Sequence, residues 1–476
     1  MISNLIGGRW VEARTEDSLP VFNPATAEEI ERVPLSSAED VTLAVTNSRQ
    51  AFEKWSRAPV MERVRLMFRF KSLLEDHFEE LAAIVTRIHG KTLDEARGEV
   101  RRGIEVVDFA CGAPTLLQGR TLRNVSTDVD QDLYRFPVGV CAGIPPFNFP
   151  VMIPLWMMPI SVVAGNTFVL KPSERTPLAA ARLAELFQEA GFPDGVLNVV
   201  HGAREVVESL ITHPLVNAVS FVGSEPVARH VYTTAAASGK RVQALGGAKN
   251  HLVVMPDVDV EIAAPAILNS AFGNAGERCL AGSVAVMVGR ASEAMVPQLV
   301  ERASALKVGP GDQPGIDVGP LIRSEHRERV LEYVERGERE GAEILLDGRP
   351  AMEQAGFFFG PTIMDGVGSD MTIGREEIFG PVLSVSRAST LEEAILQANR
   401  SALGNMAVIF TSSGRSAREF RERVEAGMLG INVPVAQPFA FYPFSGWKGS
   451  FYGDLHAHGT DGFEFYTRKK VVVTRW

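Results

Sequence analysis

The sequence predicts an α/β fold organised on a doubly wound parallel sheet, followed by a second α/β region and a small β arm. Three observations carry that prediction. Between residues 138 and 245, short β-branched apolar runs alternate with helical runs across brief links. Such alternation specifies parallel strands with right-handed crossovers, and sheets of this kind bind ligands beyond the carboxyl ends of their strands. From about residue 257 a second alternating series begins, with strand runs at 283–288, 343–346, 382–385, 406–411 and 428–433. Two further strand-like stretches, 121–134 and 464–476, have no hairpin partner beside them, which predicts an arm that completes a sheet, either within the chain or across a subunit interface.

In chain order, the opening to about Ile30 reads as short strands and turns, with Gly7-Gly8 and Asn23-Pro24 as turn signals. Apolar positions Val41, Ala44, Val45, Phe52 and Trp55 predict a helix over 39–56. A second helix sets Met67, Phe70, Leu74, Phe78 and Leu81 on one face and ends at Gly90. A third spans 93–117 and carries Arg101-Arg102, a pair that solvated helix surface explains as readily as a functional role. The first sheet then takes strands at 138–144, 167–171, 195–200, 218–222 and 241–245. Helices within 151–164, at 178–190, at 205–212 and from 224 to about 237 separate them. In the second region, helices near 292–306, 326–340, 391–400 and 414–426 alternate with the strands.

A chain of 476 residues has room for two or three domains. Its formal net charge of −10 argues against nucleic acid as a main partner, because phosphate binding needs a concentrated basic surface. Three cysteines (Cys111, Cys141, Cys279) make no disulfide framework and no zinc spacing, so no metal site is expected and a reducing, cytoplasmic compartment fits. The first residues carry no targeting pattern. No charge occurs between Arg135 and Lys171, but Pro145, Pro146, Pro150, Pro154 and Pro159 punctuate that stretch. A buried core segment is expected there, not a membrane span.

Four places offer chemistry. A helical run through Val260, Ala263, Ala264, Ile267, Leu268 and Ala271 leads into Gly273-Asn-Ala-Gly-Glu-Arg-Cys279. A thiol beside Arg278 in a small-residue turn suits a nucleophile of lowered pKa, although a buried structural cysteine is the ordinary alternative. Asn148, among the prolines and aromatics of 145–150, suits an oxyanion donor or a structural amide that satisfies turn carbonyls. Lys171 and Glu174 follow a strand where such a sheet presents ligand contacts; they suit the two hydroxyls of an adenosine ribose, or a plain surface turn. Gly223 and Ser224 open a helix after a strand, which suits a phosphate or an ordinary N-cap, and no GxGxxG loop is present.

Together these motifs resemble the aldehyde dehydrogenase superfamily over essentially the whole chain. Pro146-Phe-Asn-Phe-Pro150, Gly165-Asn-Thr-Phe-Val-Leu-Lys-Pro-Ser-Glu174, Phe221-Val-Gly-Ser224, the Cys279 stretch and Glu376-Glu-Ile-Phe-Gly-Pro381 occur in the family's order and spacing. The resemblance implies a Rossmann-like NAD-binding domain (1–119 and 139–256), a catalytic domain (257–445) and an oligomerisation arm (120–138 and 446–476). It implies Cys279 as nucleophile, Asn148 as oxyanion donor, and NAD contacts at Phe147, Lys171, Glu174, Gly223, Ser224, Glu377 and Phe379.

Hydrolytic members carry a general-base Glu before paired glycines, where this chain has Ala244 or Leu245 in Gln243-Ala-Leu-Gly-Gly-Ala-Lys-Asn-His251. That departure, with Met152-Ile-Pro-Leu-Trp-Met-Met-Pro159 and Gly276-Glu-Arg-Cys279, resembles the CoA-acylating methylmalonate-semialdehyde (malonate-semialdehyde) dehydrogenase branch. The branch implies a semialdehyde substrate, its carboxylate held by Arg102 and Arg278, coenzyme A as acyl acceptor, loss of carbon dioxide, and a homotetramer. Two other readings stand beside it: a hydrolytic enzyme with Glu377 or Glu277 as base, and a non-catalytic scaffold relative. Malonate and methylmalonate semialdehyde are not separated, since one methyl group is worth only about 1–3 kcal/mol in a pocket.

Overall fold

Five parallel strands form the heart of the first sheet in the computed structural model, which describes residues 1–476. Their spatial order is Leu197–Val199, Thr167–Leu170, Val140–Ile144, Val216–Val222, Arg241–Leu245. The chain starts in the middle, winds outward to one side, then crosses back to the other. Thus Val140–Ile144 and Val216–Val222 flank the switch point where crossovers leave in opposite directions and a crevice opens. Antiparallel strands complete the sheet: Asn4–Ile6 with Arg9–Val11 at one edge, and Phe451–Tyr452 beside Arg241–Leu245 at the other. The strands are buried on both faces, as near-continuous apolar runs require.

The second sheet has seven strands, in the order Glu343–Leu346, Thr362–Asp365, Val382–Ala388, Gly282–Val288, Asn250–Val254, Met406–Phe410, Met428–Ile431. All its neighbours are parallel except Glu343–Leu346 with Thr362–Asp365. One of its interior strands, Asn250–Val254, corrects the expected boundary at 256. That run follows the paired glycines so closely that the sequence reads as the end of the first region, yet its partners are Gly282–Val288 and Met406–Phe410. Residues 246–249 make the short link from Arg241–Leu245 to Asn250–Val254, and this places the carboxyl edge of the first sheet against the amino edge of the second.

Other differences have local causes. The single helix expected to end at Gly90 is two, Val60–Asp76 and Phe78–His89, because His77 adopts φ −103° and ψ 20° and breaks the turn. The helix expected over 93–117 stops at Cys111, and Ala113–Leu116 makes a separate turn around Pro114. The stretch 121–134 belongs to a hairpin, Arg120–Ser126 with Val129–Pro137. The tail begins as a helix, Gly459–Phe465, and only Thr467–Arg475 is a strand, pairing with Val129–Pro137 over nine residue pairs. Residues 446–452 lie outside this three-stranded arm, in pairs with Leu403–Gly404 and the first sheet. No helix is long and apolar enough to cross a membrane.

Candidate active site

A cleft of about 880 Å³ opens beyond the carboxyl ends of the first sheet. Ile144 to Asn148, Lys171, Gly223-Ser224 and Gly246-Gly247 line it, each directly following a strand. Cys279, His326, Arg329, Glu377 and Phe379 close it from the second domain.

Cys279 sits in the connection between the helix Val260–Phe272 and the strand Gly282–Val288. The connection is tight. Asn274, Ala275 and Gly276 all take left-handed backbone angles (φ 57°, 51° and 72°), and a side chain on Gly276 would meet the Gly380 carbonyl at 2.1 Å. Glu95 holds the turn from outside: it completes a capping box with Thr92 and also accepts the Asn274 N–H at 2.5 Å. Two buried asparagines, Asn250 and Asn405, each donate to the Cys279 carbonyl at 2.8 Å and so fix the peptide that carries the thiol.

The expectation of a lowered thiol pKa is not met. Burial, together with the Glu377 carboxylate, pushes Cys279 up to about 12. Arg278, adjacent in sequence, turns away and donates through Nη2 to the Asn269 and Ser270 carbonyls, and its charge offsets only a part of that rise. Adjacency in sequence did not translate into an ion pair.

Asn148 is buried and doubly held. Its Nδ2 donates to the Glu277 carbonyl at 2.9 Å, and its own carbonyl accepts from Lys91 Nζ at 2.7 Å. Lys91 also donates to Glu99 at 2.7 Å, and both side chains of that ion pair are fully buried. The second oxygen of Glu99 accepts the N–H groups of Val151 and Met152 at 2.8 and 3.2 Å, capping the helix Met152–Val163. One buried pair thus fixes the turn bearing Asn148 at both ends. Its amide points toward the residues beside Cys279, as an oxyanion donor must.

On its other side Cys279 lines a second chamber of about 240 Å³, with Phe149, Met152, Trp156 and Phe444 as walls. Both Arg102 and Arg278 line this chamber. Arg102 lies 4.8 Å over the Phe439 ring and pairs with Glu105 at 2.9 Å, both about a third exposed. Arg278 is deeper, and its Nε has no partner in the protein. Two guanidinium groups, one with an unused buried donor, suit a carboxylate entering beside the thiol.

Along the cleft, Lys171 Nζ donates to Glu174 at 2.9 Å. Burial would raise Glu174, but Lys171 and neighbouring donors bring it below its ordinary value, so it is an anion. Such an anion accepts ribose hydroxyls and repels a 2′-phosphate. Ser224 starts the helix Glu225–Ala237, but its side chain makes no capping bond, which leaves the hydroxyl free at the cleft. Phe147 packs edge-on to Phe379 at 5.9 Å, and Phe379 holds a left-handed φ of 60°. Glu377 accepts the Ala248 N–H at 2.8 Å and burial raises it to about 7. Gly247 lets it in, since a side chain there would lie 2.6 Å from the carboxylate. These residues fit NAD: a crevice at a switch point, an anion where a ribose would lie, and a free hydroxyl at a helix amino end.

A family model described as the aldehyde dehydrogenase family matches residues 10–472. The chain belongs to the aldehyde dehydrogenase family. Among its relatives, malonate-semialdehyde dehydrogenase 1 of Geobacillus thermodenitrificans is 55% identical, covering 100% of this chain and 99% of its own. Malonate-semialdehyde dehydrogenase of Halalkalibacterium halodurans is 52% identical, over 100% and 98%. The methylmalonate-semialdehyde dehydrogenase of Oceanimonas doudoroffii has a similar crystal structure, with TM-score 0.98, 48% identity, and 100% and 98% coverage.

For an aldehyde dehydrogenase this site lacks one group and contains several that sequence reasoning missed. At the position of the family's water-activating Glu, both alternatives are buried strand residues: Ala244 faces Tyr452 and Leu245 faces Phe451 in the register. Lys91, Glu99, Asn250, Asn405 and His326 were not singled out. Each acts by holding another group at long sequence separation, and no periodicity or local motif marks such a role. The Gly90-Lys91 helix break was visible, but its partner Asn148 is 57 residues away.

Proposed function

We propose that this aldehyde dehydrogenase is an NAD-dependent, CoA-acylating enzyme that converts malonate or methylmalonate semialdehyde, with loss of carbon dioxide, to acetyl-CoA or propionyl-CoA. One observation carries the reading: Cys279 lines both the dinucleotide cleft and the arginine-bearing chamber. An aldehyde bound there meets the thiol with its carboxylate toward Arg102 and Arg278. The names of the full-length relatives support the same substrate class.

Cys279 attacks the aldehyde carbon to give a thiohemiacetal. Glu377, whose charge is felt at the thiol and which titrates near neutrality, accepts the thiol proton. Asn148 Nδ2 and the Cys279 N–H face the developing oxyanion. NAD, held by Lys171, Glu174, Ser224, Glu377 and Phe379, supplies the hydride acceptor when bound. The product left on the enzyme is a thioester. Arg102 and Arg278 hold the β-carboxylate until the bond to it breaks and carbon dioxide leaves; the electron pair passes into the thioester enolate, whose α-carbon takes a proton from water to give the acetyl or propionyl thioester. General-base help to water is worth about 10²–10⁴-fold, and positions 244 and 245 supply none. A CoA thiol ionises far more readily than water and so takes the acyl group.

A hydrolytic reading with Glu377 as base is the alternative, favoured by its place on the cleft and its pKa near 7. Glu277 is no rival base, because its carboxyl lines neither cavity. Steady-state NADH formation from malonate semialdehyde, with and without CoA, separates the two readings. We expect acetyl-CoA formation and a rate that depends on CoA; an equal rate to free acid without CoA contradicts it. We further propose a cytoplasmic homotetramer assembled through the arm.

A further inference from the structure

Glu277 stands two residues before the nucleophile with its side chain fully buried and no cation in contact with it. Three separate elements face its carboxyl. Ile322 donates its N–H to Oε1 at 3.2 Å. His326 Nε2, from the helix Ser324–Arg339, lies 3.4 Å from the same oxygen and 2.7 Å from the Phe379 carbonyl. His89 Nε2, at the end of the helix Phe78–His89, lies 3.7 Å from Oε2, and neither His89 nitrogen nor Oε2 has a hydrogen-bond partner. The Glu277 carbonyl meanwhile accepts from both Asn148 and Asn274. His89 stacks over Phe147 at 6.0 Å and 16°, so the cluster also backs the cofactor wall.

We propose that the Glu277 carboxyl is a positioning group for the reaction. Bonded to the Ile322 N–H and packed against His326 and His89, it holds the nucleophile loop in register with Phe379, and so sets the placement of Cys279 and Asn148 against the nicotinamide ring. The proposal rests on Cys279 being the nucleophile.

Burial with no cation in contact favours the acid over the carboxylate. Oε1 accepts from Ile322, and a proton on Oε2 faces His89 Nε2 across 3.7 Å without a hydrogen bond. The charged groups nearest the cluster, Lys91 and Arg175, lower its pKa only in part, and burial raises it to about 8. His89 and His326 are both driven down by burial and stay neutral. An ionised Glu277 would place an unpaired charge in the interior.

Glutamine is the test, because its amide N–H₂ reproduces the donor at Oε2 and its carbonyl the acceptor at Oε1, with no proton to lose. Glu277→Ala strands the Ile322 N–H, leaves a void beside His326 and His89, and loosens the loop; we expect kcat to fall about 10²-fold, the cost of an ångström-scale misplacement, with KM for NAD moved far less. Glu277→Gln should restore kcat to within a few-fold at pH 7. Wild-type kcat with saturating propanal and CoA should fall above about pH 8, where Glu277 ionises, and the Gln variant should lack that fall. If Glu277→Ala does not fold, the Gln profile still decides. A Gln variant that retains the alkaline fall, or is as slow as Ala, overturns the proposal, as does a wild-type profile flat to pH 9. Failure of the underlying reading would appear elsewhere, as turnover retained in Cys279→Ala.

Discussion

In the proposed reaction Cys279 must lose a thiol proton that burial and Glu377 hold tightly, with the pKa pushed up to about 12. Activation in that reaction therefore depends on the Glu377 carboxylate accepting that proton, and Arg278 is not the activator. Replacing Cys279 by Ala should abolish turnover and leave NAD affinity unchanged in a fluorescence titration; residual turnover would reject the nucleophile assignment. Arg278→Leu should raise KM for malonate semialdehyde about 10–100-fold, from about 1.5–3 kcal/mol for a charged hydrogen bond. The same variant should oxidise propanal, which has no carboxylate, nearly as well as wild type. An equal loss on both aldehydes would mean a structural role. Acid–base linkage adds a stability prediction. Glu277 and Glu377 have folded pKa values near 8 and 7, above the unfolded 4.5. The stability they contribute is full below about pH 4.5 and is lost as pH rises through 7 and 8. Across pH 5 to 9 the thermal midpoint of wild type should fall relative to that of Glu277→Gln; parallel curves would contradict the buried acid.

At the scale of elements, the oxyanion turn depends on a pair of buried charges, Lys91 and Glu99, that together fix Asn148 and cap the helix Met152–Val163. Glu99→Ala leaves the Lys91 charge unpaired in the interior, which costs about 3–5 kcal/mol; urea denaturation should register it, and a loss below about 1 kcal/mol would contradict the pair's role. This device also marks where the sequence stopped being legible. Strand–helix alternation sufficed for the doubly wound sheet, because each crossover is local and the hydrophobic period is clear. The motifs at Asn148, Lys171, Ser224 and Cys279 were readable because each follows a strand or breaks a helix, and the fold brings all four to one cleft. Asn250–Val254 went unread because a strand buried on both faces, only residues 246–249 past the last one, shows no boundary of its own. The thiol's electrostatics were not legible at all. Arg278 is one residue away in sequence, yet its rotamer carries the charge to Asn269 and Ser270.

At the scale of the molecule, the chain builds two sheets whose facing edges enclose the reaction, and an arm that serves neither. In the arm, Thr467–Arg475 is an edge strand on which Val471 and Val473, with Trp476 just beyond it, expose apolar surface, as Leu122 and Val125 do on the opposite edge strand Arg120–Ser126. Such an edge invites pairing with another copy. Removing Thr467 to Trp476 should lower the sedimentation mass to a smaller assembly; an unchanged mass would place the interface elsewhere. The two cavities meeting at Cys279 carry the central claim, that the acyl group rests on this sulfur until a thiol arrives. Rapid mixing of enzyme with NAD and malonate semialdehyde, without CoA, tests it most directly, with NADH followed optically and the Cys279 peptide by mass. The account predicts a burst of about one NADH per active site, an acetyl adduct on Cys279, and prompt release when CoA is added. Continuous turnover to free acid without CoA, with no adduct accumulating, would contradict it.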